Sequence, residues 1–205
     1  MKSVLTVFLL CLFSLFACDS LESREVVSVS IQLRPSFAEE AFFKLAANSK
    51  SIRLDQSWRI VDTPAVMYEM QKAEQVDLSD YNFGLNLGID SNYFESKCDV
   101  LDGLRFIGTI ELRSGDRFRF NLTDCKYDTL AHELSKQILF KLKYDFKEDS
   151  IARDYLWEIS RSYLDVKMEP MDSLRYLNGP LMKLRKELIE KIYSDKVPTK
   201  KNEGS

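Results

Sequence analysis

Alternation of apolar and polar residues predicts two strands in the first half of the chain. Val27, Val29, Ile31 and Leu33 alternate with polar residues before Pro35, which is the pattern of a half-buried strand. Residues 81–89 alternate more strictly, and their polar face carries small and amide side chains: Asn82, Gly84, Asn86 and Gly88. Such side chains admit a ligand or another backbone at close range. We take that face as a candidate binding surface, with plain solvent exposure or cover by a loop as alternatives.

The best-defined turn in the sequence is Ser114-Gly115-Asp116, which lies between two alternating runs within residues 104–122. Glycine supplies a positive φ angle, so the triplet predicts a hairpin loop. The register that follows pairs Arg113 with Arg117. It sets Leu112 opposite Phe118, Ile110 opposite Phe120 and Glu111 opposite Arg119.

Two helices are predicted among these strands. Ser36 and Glu39 have the spacing of a capping box, and the helix that follows would place Phe37, Ala41, Phe42 and Leu45 on one face. Thr63-Pro64 has the sequence of an N-cap followed by proline in the first turn, which predicts a second helix to about Gln75. A strand around Trp58 and Ile60 separates the two helices.

After residue 128 the apolar spacing becomes that of helices. Leu130, Leu134, Ile138 and Leu142 form one stripe, and two further helices are predicted over residues 150–166 and after Asn178-Gly179-Pro180. Trp157 and Leu164 project from a separate face, where they either pack under the last helix or form an exposed patch for a partner. The order of elements predicts an α+β fold, with a largely antiparallel sheet of about five strands packed with helices and followed by C-terminal helices.

The first 17 residues have the organisation of a secretory signal peptide. Lys2 carries the positive charge, residues 4–16 are largely apolar, and Ala17 precedes Cys18. The apolar stretch is too short to span a bilayer core of about 30 Å. Leu15-Phe16-Ala17-Cys18 resembles the lipobox of bacterial lipoproteins, which implies that Cys18 is acylated and becomes the mature N-terminus. An ordinary secreted protein and an uncleaved anchor are the alternatives.

These patterns give a domain plan. Residues 1–17 form the signal peptide, 18–25 a lipidated tether, 26–146 the α+β domain, 147–193 the C-terminal helices and 194–205 a disordered tail. The extended tether reaches about 25 Å at most, so the domain would stay close to the membrane. Asp19 resembles the signal that keeps enterobacterial lipoproteins in the inner membrane, and this resemblance implies a position on its periplasmic side.

Two cysteines remain once Cys11 leaves with the signal peptide and Cys18 carries lipid. In an oxidising compartment Cys98 and Cys125 are expected to form a disulfide. Closing that loop would stabilise the fold by roughly 3.5 kcal/mol. Two buried free thiols are the alternative.

Candidate chemistry is sparse in this sequence. The net charge of −3 gives no basic field for nucleic acid. His132, the single histidine, has Lys136 where a zincin helix needs a second histidine, so we expect no metal and no cofactor, and His132 at the surface. We therefore expect a membrane-anchored protein that binds a protein partner in an accessory, assembly or immunity role. A periplasmic small-ligand or lipid-binding protein and an envelope hydrolase using carboxylates are the alternatives.

Overall fold

A computed structural model describes residues 25–36, 38–56, 65–82, 93–96, 103–124, 128–163 and 178–196. Within these ranges seven strands precede three α-helices. The strands are β1 (Val26–Pro35), β2 (Glu40–Ala46), β3 (Ser49–Gln56), β4 (Ala65–Ala73), β5 (Tyr93–Glu95), β6 (Leu104–Leu112) and β7 (Arg117–Thr123). A short 3-10 helix spans Ser79–Tyr81, and the α-helices are α1 (Thr129–Asp145), α2 (Ser150–Tyr163) and α3 (Pro180–Lys196).

The seven strands form one sheet in the order β4-β3-β2-β1-β6-β7-β5. All neighbouring strands are antiparallel except β5 and β7, which run parallel. The sheet is therefore mixed, and it is larger than the predicted one. Strands followed by helices agree with the α+β class.

One face of the sheet is apolar, because side chains alternate between faces along each strand. Its central residues are buried: Val29, Ile31, Leu33, Ala41, Phe43, Leu45, Ile52, Leu54, Leu104, Phe106, Ile110, Phe120 and Leu122. The alternate positions of the same strands are polar or half-buried, among them Ser30, Gln32, Lys44, Arg53 and Thr109. We call this second side the open face.

Both helices predicted in the first half are wrong. Residues 40–46 form β2, in which Ala41, Phe43 and Leu45 are buried, and residues 65–73 form the edge strand β4. Each gains a backbone ladder from β3, and these tertiary hydrogen bonds override the local capping signals. The predicted strand at Trp58 and Ile60 lies outside the described residues.

The hairpin of β6 and β7 is confirmed, but its predicted register is wrong by two residues. Glu111 lies opposite Arg117 and Ile110 opposite Phe118, so the loop consists of residues 113–115. The physical reason is Gly115, whose φ of 89° is suited to the last position of a three-residue loop rather than the middle. Leu112 donates its N–H to Asp116 O at 2.9 Å and closes the loop.

The helices follow the predicted order. Asp128 Oδ1 accepts the Ala131 N–H at 3.0 Å, and Asp149 Oδ1 accepts the Ala152 N–H at 2.7 Å, so aspartates cap both α1 and α2. Leu134, Ile138 and Leu142 are buried as expected, whereas Leu130 is 37% exposed. Helix α3 ends at Lys196 and therefore includes the first residues of the predicted tail.

The chain divides into two compact units, residues 1–141 and 142–205. The sheet belongs to the first unit. In the second unit α2 and α3 are linked by Arg185, whose guanidinium lies 2.8 Å from Glu158 Oε2. Among the helices that the structure describes, none has the length and apolar character needed to cross a membrane.

Candidate functional site: a cleft with two arginines

A polar cleft of about 310 Å³ lies at one end of the sheet. Its walls come from the end of β1, the start of β2, the start of β6 and the end of β7: Arg34, Pro35, Ser36, Glu40, Gly103, Arg105 and Thr123. We call this end of the sheet the far end. The near end is the opposite one, where β1 begins at Val26 and the β6–β7 loop turns.

The two arginines face each other across neighbouring strands. Arg34 of β1 is paired directly with Arg105 of β6 in the antiparallel ladder. Side chains opposite each other in such a ladder share a face, with Cβ atoms about 4.5–5.5 Å apart. Both side chains therefore leave the open face from neighbouring positions, and both line the cleft.

Each arginine is fixed through its Nε atom. Arg34 Nε donates to Glu40 Oε1 at 3.1 Å, while Gln32 Nε2 donates to Glu40 Oε2 at 2.8 Å. Arg105 Nε donates to the amide oxygen of Asn121 at 2.7 Å. The Asn121 amide in turn donates to Glu95 at 2.9 Å. Arg34 thus contacts a carboxylate directly, whereas Arg105 contacts a neutral amide.

A hydroxyl fixes the backbone in the lining of the cleft. Ser36 Oγ accepts the Gly103 N–H at 3.0 Å and donates to Gly103 O at 3.1 Å. This double contact joins the segment after β1 to the segment before β6, 67 residues apart in sequence. The Ser36 hydroxyl is therefore used structurally.

His132 lies close to the far end and is half-buried, where the sequence predicts a surface residue. Its Nδ1 is 2.8 Å from Asp124 Oδ1, and the two side chains are only 18% and 7% exposed. Asp124 directly follows β7, and its N–H donates to Leu104 O at 2.8 Å, so the backbone brings the carboxylate to the ring. Within the described residues no hydroxyl is hydrogen-bonded to the imidazole, and no three metal-ligating side chains lie together.

The other predicted site residues fall in several places. Asn82 ends the 3-10 helix rather than continuing a strand from Tyr81, and Gly84, Asn86 and Gly88 lie outside the described residues. Cys18, Cys98, Cys125 and Leu164 also lie outside them. Trp157 is 9% exposed, and the Arg161 guanidinium lies 5.5 Å from its ring, while the other residue of the suggested patch, Leu164, lies outside the described residues.

Sequence reasoning did not find the cleft. Arg34 and Arg105 stand at ordinary polar positions of two alternating strands, and nothing local distinguishes them from Arg53 or Arg119. Only the pairing of β1 with β6 brings them together.

Comparisons of the chain with protein-family models, with curated proteins and with solved structures gave no match.

Proposed function

We propose that the chain is a lipid-anchored protein of the bacterial cell envelope that binds a protein partner at the far end of its sheet. The anchor is Cys18, on the periplasmic side of the inner membrane. The role is accessory, assembly or immunity. The observation that carries the proposal is the direction of β1, which leads from the tether straight to the arginine cleft.

The chain enters the fold at the near end. Glu25 O accepts the Arg113 N–H at 2.8 Å, and Glu25 Oε1 lies 2.8 Å from the Arg113 guanidinium. These contacts join the start of the described chain to the β6–β7 loop. The membrane attachment would therefore lie on the near-end side of the sheet.

The cleft lies away from that attachment. Strand β1 spans about 30 Å at roughly 3.3 Å per residue. The tether adds at most about 25 Å. If the tether continues the line of β1, the two lengths add, and Arg34 and Arg105 are then presented to the periplasm rather than to the anchoring lipids.

The lining of the cleft favours binding over catalysis. The Ser36 hydroxyl is held by Gly103, and the two arginines stay protonated and cannot serve as general bases. The one carboxylate in the lining, Glu40, already accepts hydrogen bonds from Arg34 and Gln32. The cleft volume of about 310 Å³ also supports the second candidate, a small-ligand-binding protein, because ligand pockets begin at about 300 Å³.

Site-specific photo-crosslinking in growing cells tests the proposal. One crosslinker replaces Thr123, which lines the cleft, and the matched control replaces Ser114 in the near-end loop. We expect a discrete protein adduct from position 123 and none from position 114. A partner captured only at position 114 would contradict the proposed orientation.

The anchor is tested separately. We expect intact-mass analysis of the mature protein to show an acylated Cys18 at the N-terminus, and Cys18→Ala to release the protein from the membrane fraction and abolish the adduct. An unmodified wild-type protein, or undiminished adduct formation by Cys18→Ala, would refute the anchored role. If the role is immunity, a strain that lacks the protein should lose viability only when sister cells deliver the cognate toxin.

A further inference from the structure

The pairing of Arg34 with Arg105 places two positive charges side by side in a chain whose net charge is −3. Like charges directly opposite each other in a sheet are destabilising. The cleft is therefore a local concentration of positive charge rather than part of a generally basic surface.

The positive charge is only partly balanced within the described residues. Arg34 forms an ion pair with Glu40 at 3.1 Å, and its side chain is still 47% exposed. Arg105 has no carboxylate at ion-pair distance in the part of the chain that the structure describes, since its contact is the Asn121 amide. Among the described residues, Glu40 is thus the one carboxylate at ion-pair distance from either guanidinium group, and Glu95 is linked to Arg105 only through the Asn121 amide.

The geometry leaves the outer ends of both guanidinium groups for a ligand. The hydrogen bonds to Glu40 and Asn121 use the two Nε atoms, and no described acceptor takes the terminal amino groups. The hydrogen bonds at Nε also orient the planar groups before a ligand arrives, which lowers the entropy lost on binding. Thr123 adds a hydroxyl to the same cleft.

We infer that this cleft binds an oxyanion, a carboxylate or a phosphate group, between Arg34 and Arg105. Guanidinium groups bind both kinds of anion through paired N–H donors, and these charge-assisted hydrogen bonds are the strong ones. The anion supplies the negative charge that Glu40 alone does not. This inference goes beyond the proposed function and does not depend on the lipid anchor, so either can fail without the other.

The test uses the full chain purified in neutral detergent. Thermal unfolding is followed while inorganic phosphate or succinate replaces chloride at constant ionic strength, and calorimetry gives the Kd. We expect a saturable rise in Tm with at least one of the two anions. Binding to phosphate alone indicates a phosphate site, and binding to succinate alone indicates a carboxylate site.

Variants decide whether the cleft is responsible. We expect Arg105→Gln to raise the Kd about tenfold or more, as expected for loss of a hydrogen bond between charged groups. Arg105→Lys, which keeps the charge but loses the paired N–H donors of the guanidinium group, should weaken binding less. Arg119→Gln is the matched control, because Arg119 is an exposed arginine of β7 on the same face, opposite Thr109.

The inference is overturned by any of three results. They are no saturable response to either anion, an equal response in Arg105→Gln and the wild type, and an equal loss in Arg119→Gln. Circular dichroism of each variant shows that the comparison is made between folded proteins.

Discussion

Gly108 allows an aromatic ring to pack directly on the backbone of β6. It lies opposite Phe120 of β7, a residue that is only 4% exposed. A Cβ atom at position 108 would lie 2.0 Å from Phe120 Cζ and 2.5 Å from Cε1. Carbon atoms in contact are about 3.5 Å apart, so the ring would have to move by about 1.5 Å. Gly108→Ala therefore tests whether this packing determines the residue.

The two effects of the substitution have opposite signs. Replacing a glycine within a strand by alanine stabilises the folded protein by about 0.5–1 kcal/mol when nothing obstructs the side chain. Overpacking a buried site costs about 1–3 kcal/mol. We expect the clash to dominate and Gly108→Ala to lower the free energy of unfolding by about 1–2 kcal/mol.

Urea unfolding of the full chain, followed by circular dichroism at constant m-value, measures this loss. In a Phe120→Leu background the ring is absent, and Gly108→Ala should cost at least about 1 kcal/mol less than in the wild type. Gly115→Ala is the control, because its cost arises from a φ of 89° with no atom within 4 Å, and Phe120→Leu should not change it. An unchanged or increased stability of Gly108→Ala, or equal losses in both backgrounds, would refute the reasoning.

Three further predictions concern a buried acid, a surface acid and the cysteines. Burial raises the pKa of Asp154, whose carboxylate also accepts the Leu181 N–H at the start of α3. The folded state therefore binds the carboxyl proton of Asp154 more tightly than the unfolded state does. The resulting stabilisation is fully present below the pKa that Asp154 has in the unfolded state, and it is lost as the pH rises through its pKa in the folded state. Asp154→Asn keeps a hydrogen-bond acceptor without the charge, so the stability of this variant relative to the wild type should increase between pH 3 and pH 7. Urea unfolding at several pH values measures this difference, and a difference that does not change with pH would contradict the prediction. The Ser28 hydroxyl, which donates to Glu111 at 2.6 Å, is the largest single cause of the lowered pKa of Glu111, and Arg117 adds both its charge and a hydrogen bond. Carboxyl-carbon NMR titration should show an upward shift of that pKa in Ser28→Ala and also in Arg117→Gln, and an unchanged pKa in Ser28→Ala would refute the assignment. Peptide mapping without reductant should find Cys98 linked to Cys125, and Cys98→Ser should lower the free energy of unfolding by roughly 3.5 kcal/mol. Alkylation of both thiols in the native protein would exclude the bridge.

Residues flanking the two cysteines already lie together. Thr123 donates its N–H to Ser96 Oγ at 2.6 Å, and β5 continues towards Ser96 in parallel with β7. Cys98 and Cys125 each follow two residues later. The disulfide remains a prediction, because both cysteines lie outside the described residues.

Period-two patterns predicted strands well only where polar residues separated the apolar ones cleanly. In β1 the alternation is regular and the strand was predicted. In β2 Phe42 stands between Ala41 and Phe43, so the same residues also fit one face of a helix. Among the described strands β4 pairs only with β3, and its side chains do not alternate between buried and exposed positions. Pairing with distant residues decided both cases, and that information is not local.

The hairpin shows why the cleft could not be predicted although the faces of its strands could. Moving the loop by one residue moves the register of β6 and β7 by two, and a shift of two leaves every side chain on the same face. The hydrophobic pattern therefore specifies the buried face of a strand but not its cross-strand partners. Glu111 meets Arg117 instead of Arg119, and Phe120 meets Gly108 instead of Ile110, with no apolar residue changing sides. The pairing of Arg34 with Arg105 is of the same kind, since it depends on the register of β1 against β6. A site made of directly opposed polar residues is thus invisible to the pattern that predicts the sheet carrying it.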